Sequence, residues 1–137
     1  MSSSSTPTEL LLREVPGFGY PSVRDQLVHV LSVETAWVSA LRGAPISRLP
    51  AADHATLNSI IEAKHRVAKS SLSYLDGLSE SELNTEVSAL PKEWIGAPRS
   101  PAFILLHVLT HTFHHKGQMA AMLRLLDQPA PDTDLQR

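Results

Sequence analysis

The sequence predicts an all-α fold, three long helices joined by short helical and irregular segments. Three observations carry this. Ten prolines, at 7, 16, 21, 45, 50, 91, 98, 101, 129 and 131, leave three long proline-free stretches. Those stretches repeat apolar residues at helical spacing, and capping residues stand at their edges. No alternating pattern of useful strand length occurs.

Residues 1–7 read as a polar, disordered tail ahead of a single domain over 8–137. Residues 8–13 have room for a turn or two of helix before the Pro16–Gly19 loop. The first long helix is expected over 22–41: Ser22 with Asp25 three residues on has the form of a capping box, and Gly43 can stop the helix. The second is expected over 52–76, ending at Gly77. Its buried stripe should be Leu57, Ile61, Ala68, Leu72 and Leu75, widened by Ile60 and Val67. Ser79 caps a short helix, and 86–99, with Pro91, Gly96 and Pro98, reads as an irregular crossover or a short hairpin. The last helix opens on Ser100 and Pro101 and is closed by Pro129.

A charge of −2, with 42% hydrophobic and 19% charged residues, describes a globular chain. Lysine and arginine are scattered, which argues against a nucleic-acid partner. Cysteine is absent, which removes thiolate nucleophiles, disulfides and zinc-finger ligation. No apolar run reaches membrane-spanning length and no signal peptide is seen, so the expected location is cytoplasmic, without a membrane partner.

Four of the seven histidines lie between 107 and 115. At 100° per residue, His107, His111, His115 and Gln118 fall within roughly 40° of one line on the last helix, continued by Ile104, Met122 and Leu125. A stripe bounded by apolar residues faces a core, where an imidazole without a partner is costly. A divalent metal ion satisfies such rings, and two histidines one turn apart can chelate it from a rigid backbone. By spacing alone the pair is His107 with His111 or His111 with His115. His29, on a stripe with Val33, Ala36 and Ala40, is the candidate third ligand from a neighbouring helix. His54 and His65 stand among polar residues and are expected in solvent. Glutamate does not follow His111, so the metalloprotease pattern is absent, and no catalytic residue can be named.

Three stretches together resemble the DinB-like superfamily of helical-bundle metalloproteins, also described as YfiT-like. They are SVRDQLVH ending at His29, followed by ETAW and LRG up to Gly43; LHVLTHTFHHKGQ over 106–118, the most specific; and LRLL followed by PAPDTD over 123–134. The resemblance covers about residues 8–135 and implies an up-down helical bundle with His29, His111 and His115 as the metal ligands. It leaves His107 to line or pack beside the cavity, Gln118 to support a ligand from behind, and Trp37 to pack in the core.

Superfamily members usually carry a long helix ahead of the first histidine. Here about 20 residues precede that segment, and the chain stops at Arg137 where relatives often continue. Either a naturally shortened bundle or an incomplete gene product is therefore expected, with an apolar groove left for a second subunit to cover as a homodimer. The resemblance further implies transfer of a low-molecular-weight thiol to an electrophile. Neutral histidine ligands leave an ion its full charge, and an open position favours the thiolate of a cosubstrate. The rival readings are a non-catalytic bundle stapled by its metal, and hydrolysis by metal-bound water, for which a carboxylate base is missing. Three imidazoles suit zinc, nickel or iron.

Overall fold

The computed structural model describes residues 5–132. It is all-α, with six helices among the described residues: α1 (Pro7–Leu12), α2 (Val23–Leu41), α3 (Leu57–Asp76), α4 (Glu80–Leu83), α5 (Lys92–Ile95) and α6 (Pro101–Leu125). None is long and apolar enough to cross a membrane. Residues 1–4 of the expected tail, and 133–137, lie outside the described residues.

Each long helix starts where a side chain satisfies its free amides. The hydroxyls of Ser22, Thr56 and Ser100 accept from the backbone N–H groups of Asp25, Ser59 and Phe103, and Pro101 occupies a first-turn position that lacks a useful donor anyway. At Ser22 only half of the expected capping box forms, because the Asp25 carboxylate is taken by Arg24 at 2.8 Å. Gly43 follows α2 with φ 67°, a left-handed conformation that ends the helix at little steric cost.

α2 is the central element and packs against α1, α3 and α6. One core cluster joins Trp37, Ala40 and Leu41 of α2 to Ile104 and Val108 of α6, with Leu90 and Trp94 from the crossover. A second joins Leu11 of α1, Val28 of α2 and Ile60 of α3, so the N-terminal helix closes one end of the bundle. Trp37 is a core residue, as expected.

Three expectations need correction. α3 starts at Leu57 rather than near 52, because Thr56 and Ser59 form a reciprocal capping box and residues Ala51–Asp53 form a separate 3-10 turn. Its buried stripe is Ile60 and Val67, both expected, with Ala63, while Leu57, Ile61 and Leu72 are exposed. The expected stripe lies roughly 110° further round the helix. The crossover contains α5, bracketed by a single antiparallel bridge between Val87 and Arg99.

The misplaced stripe has a physical reason. α3 and α6 flank α2 without meeting each other among the described residues. Between them lies a groove of about 460 Å³ lined by Leu27, Val30 and Leu31 of α2, Leu57 and Ile61 of α3, and Met119 of α6. The apolar face of α3 is wide: one edge packs on α2, and the other faces this groove.

Candidate metal centre

α2 and α6 run antiparallel, so the N-terminal half of α2 faces the C-terminal half of α6. This brings together three imidazoles from distant parts of the chain: His29, His111 and His115 each present a ring nitrogen within 4.8 Å of the other two. Nε2 of His29 stands 3.1 Å from Nε2 of His111. Ring centroids are 4.9 Å apart for His29 and His111, 4.7 Å for His29 and His115, and 4.5 Å for His111 and His115. No cysteine, aspartate or glutamate joins the cluster among the described residues.

Hydrogen bonding fixes how His115 is presented. Gln26, fully buried on α2, donates from Nε2 to the carbonyl oxygen of Tyr20 at 2.9 Å and to Oε1 of Gln118 at 2.8 Å. With both amide protons used on oxygens, Oε1 of Gln26 can only accept, and it lies 2.6 Å from Nδ1 of His115. The proton of a neutral His115 therefore sits on Nδ1, and Nε2 keeps its lone pair for the centre. Nε2 of Gln118, whose own oxygen is occupied, faces Nε2 of His114 at 2.8 Å. On the other side the Tyr20 ring stacks on His29, with centroids 3.9 Å apart and planes 19° from parallel.

A model of the DinB family matches residues 12–137. The chain belongs to the DinB family. It is also 29% identical over 119 residues to the uncharacterized protein YizA of Bacillus subtilis, covering 87% of this chain and 73% of that protein.

The electrostatics of this DinB chain suit a cation. Burial, followed by repulsion from His115 and the other neighbouring rings, pushes His111 down to about 4. Burial also lowers His29, helped by the charges of His115 and Arg48, and lowers His115, helped by His114. All three rings are thus held neutral near pH 7, the form in which imidazole ligates. Nδ1 of His111 is buried with no hydrogen-bond partner. Three lone-pair donors crowded together, with one ring left short of partners, fit a divalent ion.

The structure thus brings together His29, His111 and His115. His107 is not with them: it lies exposed, its ring edge-on to Trp37 at 5.5 Å. The buried line of α6 is set by Pro101, Ile104, Val108, His115 and Met122. His107 and Leu125 sit about 80° to one side of that line, which corrects the expectation that they point inward. His54 is buried rather than in solvent, with its Nδ1 unpartnered, whereas His65 is exposed as expected. Gln118 supports the site one step removed, through Gln26. The sequence reading missed Gln26 and Tyr20. A glutamine one turn before His29, inside an otherwise apolar helix face, was the available signal for the first.

Proposed function

We propose that His29, His111 and His115 hold one divalent ion, zinc, nickel or iron, and that the protein uses it to transfer a low-molecular-weight thiol to an electrophile. The observation carrying this reading is the convergence of three neutral imidazoles, one of them oriented from behind by Gln26 and another stacked under the partly exposed Tyr20 ring. A divalent ion supplies Lewis acidity, which favours the thiolate of a bound thiol at neutral pH. The chain has no cysteine, so the sulfur comes from the cosubstrate. The protein's own groups bind and orient: His115 is locked in one tautomer, His29 is held under Tyr20, and the core beneath Trp37 keeps α2 and α6 in register.

The deciding experiment is elemental analysis of the purified protein, followed by assay with a panel of thiols and electrophiles before and after chelation. Metal-dependent consumption of thiol and electrophile together supports the reading. Metal bound tightly with no turnover of any pair supports a structural staple between α2 and α6. The apolar groove between α3 and α6 supports a further part of the proposal, that two copies associate as a homodimer across it.

A further inference from the structure

A separate cavity of about 250 Å³ lies between α2 and α3. Two polar stripes face each other across it: Thr35, Ser39 and Arg42 on α2, and Arg66 with Ser70 and Ser71 on α3. Residues three and four apart share one side of a helix, so each stripe presents its groups together. Buried Val38, Ala63 and Val67 stand between the stripes and form the cavity's dry floor. On α2 the lining starts at Thr35, about 9 Å along the axis from His29 and roughly 120° around it. It shares no residue with the candidate metal centre.

Two guanidinium groups line this cavity, and no carboxylate does. Arg42 is fixed in place: Nη2 donates to the carbonyl oxygen of Ser70 at 2.8 Å, and the guanidinium lies 5.5 Å from the ring centroid of Tyr74. That bond uses one of its five N–H donors. The side chain of Arg66 makes no ion pair and no hydrogen bond among the described residues. Glu34, behind Ser71, lines the groove between α3 and α6 instead. Glu62, one turn before Arg66, is exposed and forms no ion pair among the described residues.

The hydroxyls say what else a ligand must carry. Oγ1 of Thr35 donates to the carbonyl oxygen of Leu31 at 2.8 Å, and Oγ of Ser39 to that of Thr35 at 2.7 Å. Oγ of Ser71 donates to Glu34 at 3.2 Å. A hydroxyl whose proton is already spent offers only lone pairs. These three oxygens therefore call for donors, while the two arginines call for acceptors. A small anion that also bears hydroxyl groups supplies both.

We propose that this cavity binds a small phosphate monoester of a polyol, with its phosphate between Arg42 and Arg66 and its hydroxyls donating to Thr35 and Ser39. Two guanidinium forks match the charge and oxygens of a phosphate dianion, where a single carboxylate would leave one fork unused. The site stands independently of the metal-thiol reading.

The test is calorimetric titration of the full chain with glycerol 3-phosphate, inorganic phosphate and glycerol. Glycerol 3-phosphate should bind, inorganic phosphate should bind about tenfold more weakly for want of the hydroxyl contacts, and glycerol should give no signal. Arg66→Gln should weaken glycerol 3-phosphate by about tenfold or more without changing the melting temperature, since that side chain holds nothing in the fold. Ser39→Ala should narrow the gap between the two phosphates. Chelator treatment should leave all of this intact. Absence of glycerol 3-phosphate binding, equal affinity for the two phosphates, or binding that survives Arg66→Gln would overturn the proposal. Binding lost on chelation would overturn it too, by assigning the phosphate to the metal centre.

Discussion

Oε1 of Gln26 accepts the Nδ1 proton of His115 across 2.6 Å, and Gln26 is fully buried between α2 and α6. One residue therefore ties one of the two candidate ligands on α6 to the helix that carries the third, His29. Partners of this kind fix the tautomer and direction of a ligating ring.

Replacing Gln26 by alanine should lower metal affinity by about 10–100-fold, because His115 loses its tautomer lock. The metal-free protein should also be destabilised by roughly 1–3 kcal/mol, since Nδ1 of His115 and Oε1 of Gln118 each lose a buried partner. Competition against a chromophoric chelator measures the first effect and urea unfolding the second. Unchanged affinity would show that His115 does not need this contact to ligate.

His111→Ala should abolish tight metal binding, since it removes one of two chelating rings from the same rigid helix. The matching control is His65→Ala, on the exposed face of α3, which should change neither metal content nor melting temperature. His54 makes a poorer control because it is buried. Equal metal content in the His111 and His65 variants would place the site elsewhere.

Much of this was legible in the sequence, for identifiable reasons. Helix starts were readable wherever one side chain decides them, as at Ser22, Ser79 and Ser100. The start of α3 was not, because Thr56 with Ser59 is a weaker signal than the proline at 50. Periodicity finds an apolar face but not which edge of a wide face is buried; that depends on the direction from which α2 packs, and α3 was misread for this reason. The same limit applies on α6, where apolar residues surround the helix and His107 shares a rough line with His111 while pointing past the core. Spacing alone left two histidine pairs open, and the antiparallel register of α2 and α6 is what brings His29 to His111 and His115.

Stability of the metal-free protein should fall as the solution is acidified. His111 has an ordinary value of 6.5 and is pushed down to about 4 in the fold, and His29 and His115 shift in the same direction. Above 6.5 the rings are neutral in both folded and unfolded chains, so they add no pH dependence. Between 6.5 and about 4 the unfolded chain binds protons that the folded chain refuses, and stability is lost as pH falls. For the partly exposed His111 ring, solvent screening reduces this to the order of 1–2 kcal/mol. Urea unfolding at several pH values on chelator-treated wild type and His111→Gln should show a smaller acid loss in the variant. Parallel curves would mean that His111 is not the ring under pressure.

The groove between α3 and α6 leads to a prediction about assembly. Its walls carry Leu57 and Ile61, 43% and 42% exposed, and the same face of α3 continues to Leu72 at 59%. Leaving such side chains in water forgoes burial free energy, on the order of 1.5–3 kcal/mol for each one fully covered. A second copy can cover this face with a surface identical to it, which closes the assembly as a pair. Lys64 and Lys116 at the rim, with Glu34 on the α2 wall, add charges of both signs that a two-fold partner can complement. Light scattering on the purified protein should therefore give twice the chain mass. Ile61→Glu, which puts a charge on the exposed wall, should shift it to monomer without changing metal content, because Ile61 is remote from the triad in sequence and lies on the helix that supplies no ligand. A monodisperse wild-type monomer with a sharp melting transition would show that the groove stays open to solvent.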